Sequence, residues 1–215
     1  MNDGDTFTIE QAPGHEFRVT IVADDIGEPP WERADGHGPV RHLRHPGRPG
    51  TKPGEVLLHY DRGDWWLYDV AEATRIAKRD GWGVAESEWP KVWQHFRKNP
   101  ALCPAKPTRN MIAAYAVHLD MKFLAGWLND DWCYVGVCVQ LLDEDGEAIT
   151  DQYQHALWGV ESCSKDYIKE VAHELAEQCA IEAGVDLTSR SRAWRAALKE
   201  ARERFFWAAR GVATV

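Results

Sequence analysis

The chain has 215 residues, of which 44% are hydrophobic and 27% are charged, and its net charge is −9. These are the proportions of an ordinary soluble globular protein. Because the chain is mostly acidic, it is not expected to bind nucleic acid non-specifically. No run comes near the roughly 18 apolar residues of a membrane-spanning helix, and the first twenty residues lack a signal-peptide pattern, so we expect neither feature.

The five cysteines are spaced as separate thiols rather than as a disulfide framework. Their number is odd and no two stand in a C-x-x-C spacing, which also argues against a cysteine zinc ribbon. Cys133 and Cys138 lie in an apolar run and are expected to be small buried thiols. A reducing cytoplasm is therefore the expected location.

The first 54 residues are predicted to hold one strand between two irregular regions. Residues 1–15 are expected to be a flexible lead-in. In the segment 16–22, Phe17, Val19 and Ile21 alternate with polar residues, which predicts a half-buried strand. The segment 23–54 contains six prolines and six glycines and is predicted to be a long irregular loop.

The middle of the chain is predicted to form a hairpin followed by three helices. Two short strands over 55–69 flank a turn at residues 61–64. Asp69 is placed to cap a helix that Gly81 ends, and a second short helix is predicted over 88–98. Thr108 is placed to cap a longer helix that runs to about Leu128.

The segment 131–161 gives the clearest hairpin signal, with an apolar alternation from Cys133 to Leu141 and a turn at 143–146. Ser164 and Gly184 are predicted to bound the next helix. A last amphipathic helix is predicted from about Ser189 to Arg210, with one basic face. Phe206 and Trp207 lie off its apolar stripe, which favours a homodimer or partner surface.

This order of elements predicts an α+β fold, an antiparallel sheet of about five strands with helices packed mainly on one face. We expect a single domain over residues 16–187. The segment 188–215 is expected to be a C-terminal helix packed on that domain or swapped from it.

Charge along the chain forms alternating blocks. Residues 1–36 and 108–163 each carry −7, whereas residues 37–54 carry +4 and residues 188–215 carry +5. The two basic islands either contact phosphate or lie against the protein's own acidic residues. The second of these interpretations is favoured because acids dominate the rest of the chain.

The segment 24–45 is the most unusual part of the sequence, and it leaves three interpretations open. The first is a solvated polar loop, and the second is a loop that docks on a partner. The third is a zinc or manganese site, although Arg41 and Arg44 flank one of its histidines and oppose a dication. Trp31 either tucks back onto the domain or projects as an interface anchor. The metal alternative uses Asp24, Asp25, Asp35, His37, His42 and His45.

No motif of nucleophilic catalysis or of phosphate binding is present: G-x-S-x-G, G-x-x-x-x-G-K-[ST] and G-x-G-x-x-G are all absent. The sequence therefore favours a protein without catalytic activity and without a cofactor. The residues that we predict to bind a partner are Trp31, Asp35, His37, Arg41, Trp132, Tyr134, Trp158, Phe206 and Trp207.

Several blocks of the sequence resemble small uncharacterised accessory proteins of tailed phages and prophages, over roughly residues 17 to 180. The blocks are ADDIGEPPWERADGHGPV, LYDVAEATRIAKRDGWG, DDWCYVGVCVQLLDEDGE, LWGVES and YIKEVAHELA. That family carries no assigned activity, so no catalytic role is transferred. The resemblance implies a bacterial cytoplasm during infection and a protein that binds and modifies a host function.

Three functional hypotheses follow. The first is a non-enzymatic binding protein that acts on a host macromolecule, such as a defence or nucleic-acid-handling protein, through a complementary acidic surface. The second is a metal-dependent hydrolase of nucleotides or nucleic acid that uses the zinc or manganese site. The third is a protein that sequesters a small nucleotide by stacking its base on Trp132, Tyr134 or Trp158. None of the three involves a membrane partner.

Overall fold

The computed structural model describes residues 3–12, 15–25, 28–34, 36–45, 50–103, 106–149 and 155–184. The chain forms two compact units. The first unit contains the described residues up to 25 and those from 130 onward, and the second contains residues 28–129. From the sequence we expect a single domain over 16–187. The predicted C-terminal helix lies outside the described residues.

Both helices and strands are well represented in these residues. The strands are β1 (Thr6–Ala12), β2 (His15–Ala23), β3 (Val40–Arg44), β4 (Glu55–Asp61), β5 (Asp64–Asp69), β6 (Tyr134–Leu141) and β7 (His155–Glu161). The α-helices are α1 (Pro30–Arg33), α2 (Val70–Asp80), α3 (Trp89–His95), α4 (Arg109–Leu128) and α5 (Lys165–Glu182). Short 3-10 turns span Glu86–Glu88 and Pro100–Leu102. No helix among the described residues has the length and apolar character needed to cross a membrane.

The first unit is a four-stranded antiparallel sheet in the order β1-β2-β6-β7, with α5 packed on one face. The predicted alternation of Phe17, Val19 and Ile21 is confirmed, because all three are fully buried. They meet the alternate valines of β6 and the apolar stripe of α5 in one core. Removing this apolar area from water is the main stabilisation of the unit.

The hairpin β6–β7 is confirmed, and its turn is stabilised by local hydrogen bonds. The Asp143 carboxylate accepts the amides of Asp145 and Glu147, and Gly146 has the positive φ of 80° that glycine tolerates. Cys133 precedes β6 and is exposed, so the prediction of a buried thiol holds only for Cys138. The alternation places Cys133 in phase with the core face, but the strand begins only at Tyr134.

The second unit is built on a three-stranded antiparallel sheet in the order β3-β5-β4. The predicted hairpin over 55–69 is confirmed, and its turn residues Arg62 and Gly63 both have positive φ. Tyr68 of β5 is buried in a core with small and branched side chains of α2 and α4. These are Ala73, Ala77, Ala113, Val117 and Leu124.

Local capping chemistry sets the helix boundaries largely as predicted. The Asp69 carboxylate accepts the Glu72 amide at the start of α2, and Thr108 Oγ1 accepts the Met111 amide at the start of α4. Gly81 ends α2 with a left-handed φ of 73°. Ser164 occupies the N-cap position of α5 without a side-chain capping bond.

The prediction of one sheet with about five strands is wrong in that detail, because the described strands form separate sheets of four and three. Two of the seven strands were not expected. β1 lies in the supposed lead-in, and β3 lies in the supposed irregular segment 23–54, which also contains α1. Both are edge strands. In β1 the core-facing Phe7 and Ile9 alternate with exposed polar residues, so its strand pattern was present in the sequence, whereas the residues of β3 show no such alternation.

Candidate functional site

The predicted site residues divide between the two units. Asp24, Asp25, Trp132, Tyr134 and Trp158 belong to the first unit, and Trp31, His37, Arg41, His42 and His45 belong to the second. Asp35, Phe206 and Trp207 lie outside the described residues.

The histidines of the metal hypothesis have different partners. His37 pairs with Asp120, whereas His42 Nε2 lies 2.8 Å from Asp64 Oδ1 and its ring stacks on Trp66. Within the part of the chain that the structure describes, no group of three or more histidine, cysteine or acidic side chains has the arrangement of a metal site. One of the predicted ligands, Asp35, lies outside the described residues, so the zinc or manganese site stays a prediction.

A buried carboxylate on α4 organises the loop before β3. The side chain of Asp120 is only 8% exposed, and its oxygens accept hydrogen bonds from three groups. His37 Nδ1 lies at 2.6 Å, the Gly38 amide at 2.8 Å and the Tyr68 hydroxyl at 2.6 Å. Because a buried charge is costly unless it is hydrogen-bonded, these donors are what permit a carboxylate here. Sequence reasoning missed Asp120, which lies 83 residues from His37.

Tyr68 and Gly38 fit together closely in this cluster. Burial and the nearby Asp120 carboxylate raise the pKa of Tyr68 far above its usual value, so its hydroxyl stays protonated and donates. A Cβ atom on residue 38 would lie 2.2 Å from the Tyr68 hydroxyl oxygen and 2.7 Å from the Ala73 Cβ. Glycine at this position therefore lets the loop pass directly over the phenol.

The His37 imidazole is oriented on two sides. Asp120 bonds its Nδ1 atom, and the Phe123 ring lies parallel to it at a centroid distance of 5.7 Å. An imidazole held by a carboxylate becomes a catalytic base when a nucleophile completes the arrangement. The contacts described for His37 and Gly38 fix residues 37 and 38 to α4 and β5.

Trp31 and Arg41 also have partners within the second unit. Trp31 is half-buried and packs edge-to-face on Trp127, with ring centroids 5.5 Å apart. The sequence left open whether Trp31 tucks back onto its own domain or projects outward. The structure shows Trp31 packed against its own unit. Arg41 makes a two-point hydrogen bond with Glu55, which raises the pKa of Arg41 and lowers that of Glu55.

A pair of histidines that sequence reasoning missed joins α3 and α4. The rings of His95 and His118 lie 4.5 Å apart, and both contact the ring of Tyr115. Burial, His95 and Lys122 lower the pKa of His118, so its neutral form is favoured. The two histidines are 23 positions apart in the sequence (118 − 95), so no local pattern indicated that their rings are neighbours.

The three aromatic residues proposed as a base-stacking surface differ in exposure. Trp132 and Tyr134 are buried and pack edge-to-face at 5.3 Å. Trp158 is 48% exposed and lies across Gly136, where a Cβ atom would approach the indole to 2.6 Å. Among these three, Trp158 is therefore the side chain that is available to a ligand or partner.

The first unit has a large excess of acidic residues. Its described residues contain 18 aspartates and glutamates against three arginines and lysines. None of these 18 acidic residues is buried. The described residues of the second unit carry 11 acidic and 14 basic residues, so the charge imbalance belongs to the first unit.

Acidic residues on α5 follow the helical repeat. Asp166, Glu170 and Glu174 are spaced four residues apart and therefore share one face of the helix. Burial, Glu174 and Asp166 all raise the pKa of Glu170. Burial is the largest cause of the raised pKa of Glu170, and the like charges on the same helix face add to it.

Comparison with known proteins gives no relative for this chain: no protein-family model matches it, and no significant match was found among curated proteins or solved structures. The resemblance to phage accessory proteins stays a prediction from the sequence.

Proposed function

We propose that this chain is a non-enzymatic accessory binding protein, encoded by a phage, whose acidic first unit binds a basic macromolecule in the cytoplasm of the bacterial host. The observation that carries the proposal is the ratio of 18 acidic to three basic residues in the described part of that unit. A surface of one charge attracts partners of the opposite charge and steers their encounter.

The acidic face of α5 supports this proposal because it lowers the stability of the protein itself. Each like-charge pair four residues apart costs about 0.2–0.5 kcal/mol in a helix. Asp166, Glu170 and Glu174 form two such pairs along α5. A departure from a local stability rule is typical of a functional surface.

The chemistry of the partner follows from the kind of charge. Exposed carboxylates resemble the phosphates of nucleic acid in charge and in accepting hydrogen bonds from arginine and lysine. A protein that handles nucleic acid presents a basic surface that such carboxylates can occupy. We therefore propose a host nucleic-acid-handling protein as the target, with inhibition of a defence protein as the outcome of binding.

The test uses the purified full chain, immobilised and exposed to the heparin-binding fraction of a bacterial extract. We expect capture of a basic protein at low salt, loss of capture as salt is raised, and displacement by double-stranded DNA. Replacing Asp166, Glu170 and Glu174 with their amides should weaken capture strongly, because the change removes three charges from one face.

A matched control separates local charge from total charge. The exposed Glu28, Glu32 and Glu86 lie in the second unit, and changing all three to glutamine removes the same net charge. This variant should capture the partner as well as the wild type does. Equal capture by both triple variants, or no DNA-displaceable capture by the wild type, would contradict the proposal.

A further inference from the structure

Strand β7 is an exposed edge of the four-stranded sheet. It pairs with β6 on one side, and no strand lies on its other side within the described residues. An unpaired edge presents backbone amides and carbonyls that can accept another strand. β7 therefore has the geometry needed for strand addition.

Side chains on both faces of β7 are apolar and exposed. Leu157 lies opposite Val137, on the face that carries α5, and is 40% exposed. Trp158 lies on the opposite face over Gly136 and is 48% exposed. An added strand would thus gain apolar contacts on both of its own faces as well as backbone hydrogen bonds.

The two edges of this sheet differ in a way that singles out β7. Edge strands are commonly protected by charged or polar side chains and by proline. β1, at the other edge, exposes Thr6, Thr8 and Glu10. Residues 156–160 of β7 read ALWGV, with no charge and no proline. Both edge strands contain an irregularity of register, so the lack of charge and proline over residues 156–160 is what distinguishes β7.

Charge indicates what kind of strand the β7 edge accepts. A second copy would bring its own excess of acidic residues to the same surface, which opposes self-association. A basic segment is attracted, and acidic residues stand at both ends of the strand. Glu161 ends β7, and Glu182 of α5 lies 3.2 Å from His155 at its beginning. The fitting segment therefore has an apolar centre with lysine or arginine on either side.

We infer that β7 is a docking edge, at which an extended basic segment of a partner protein adds as the fifth strand of the sheet. The inference rests on the proposed function, which supplies the basic partner, and it names the surface that holds the partner. Recognition combines backbone pairing, contacts with Leu157 and Trp158, and attraction between the segment's basic ends and the acidic unit.

The test measures binding of a labelled peptide to the full chain by fluorescence anisotropy. The peptide has a centre of alternating valine and threonine and two lysines at each end. A second peptide of the same sequence carries N-methyl groups on alternate amides, which block backbone pairing and leave the charge unchanged. We expect the methylated peptide to bind at least about tenfold more weakly, because backbone hydrogen bonds are lost. Hydrogen exchange should show protection of residues 156–160 by the unmethylated peptide alone.

Two matched variants of the protein locate the binding edge. Leu157→Lys places a positive charge on the edge, and Ile149→Lys makes the same chemical change at another exposed position of the first unit. The first should weaken peptide binding at least about tenfold, and the second should leave it close to that of the wild type. Circular dichroism verifies that both variants are folded.

The outcomes distinguish this inference from the proposed function. Equal binding of the two peptides, or equal effects of the two lysine variants, would overturn the docking edge while leaving charge-driven capture of a basic protein intact. A dimer of the wild type that Leu157→Lys dissociates would also overturn it, by showing that the edge accepts a second copy. Capture that fails in the charge-neutralisation experiment contradicts the proposed function instead.

Discussion

Replacing Asp120 with alanine removes the acceptor that three donors share, and it leaves two of those donors buried. The Tyr68 hydroxyl and the Gly38 amide lie inside the second unit, whereas the His37 side chain is 20% exposed and can turn toward water. A buried donor without an acceptor costs about 1–3 kcal/mol. Two such donors give an expected loss of about 2–6 kcal/mol in the free energy of unfolding.

Asp120→Asn is the informative comparison because it preserves the shape of the side chain. The amide oxygen can keep the two donors that now meet Oδ2, which are the Gly38 amide and the Tyr68 hydroxyl. The amide nitrogen then faces His37 Nδ1, which can become an acceptor when the neutral imidazole changes tautomer. We expect this variant to lose about 1–2 kcal/mol, mainly the charge-assisted part of the three bonds.

Urea unfolding monitored by circular dichroism and tryptophan fluorescence measures both variants. The slope of the transition should stay constant, and the midpoint should fall much further for alanine than for asparagine. Equal losses for the two variants would show that charge, not hydrogen-bond satisfaction, governs the cluster. A loss of less than about 1 kcal/mol in the free energy of unfolding for Asp120→Ala would show that the two buried donors do not carry the expected cost.

Three further predictions concern single residues of the first unit. Burial lowers the pKa of His173, so the unfolded state binds the extra proton more readily and the free energy of unfolding falls as pH drops below about 6.5. His173→Gln should make the free energy of unfolding depend less on pH in urea titrations, and an unchanged dependence would contradict this prediction. The pKa of Glu170 is raised, so its charged form destabilises the fold. Glu170→Gln should therefore raise the free energy of unfolding by about 0.2–1 kcal/mol at neutral pH, and this gain should vanish on acidification. Gly136→Ala should displace the Trp158 indole and lower the free energy of unfolding by about 1 kcal/mol. The NMR resonance of the indole N–H should shift as a result, and an unshifted resonance would contradict the contact.

Local signals in the sequence predicted the elements that have a buried face or a capping residue. The alternation of Phe17, Val19 and Ile21 is legible because one side of β2 must be apolar to meet the core. Asp69 and Thr108 marked helix starts because capping depends only on residues a few positions away. The edge strand β1 did carry a comparable signal, because Phe7 and Ile9 alternate with exposed polar residues and its partner β2 is the next strand in the chain. The edge strand β3 gave no such signal, since its residues VRHLR do not alternate and its partner β5 is not the next strand.

The candidate sites were less predictable because they depend on long-range pairing. Nothing near His37 in the sequence indicates Asp120, and His37 and His42, which belong to one segment, have different partners. The acidic blocks at 1–36 and 108–163 were visible as runs of charge. The location of most of these acidic residues in one unit was not visible, because the described part of that unit is formed from two segments separated by residues 28–129.

This discontinuity has a consequence for how the protein folds during synthesis. Strand β2 pairs with β6, and the paired residues are more than 100 positions apart in the chain. At the usual rate of translation, β2 emerges roughly 5–20 s before its partner, whereas all the strands and helices of the intervening unit emerge in that interval. The apolar side of β2 is therefore exposed to solvent in the nascent chain during that interval. β2 is the segment that we expect a ribosome-associated chaperone to bind.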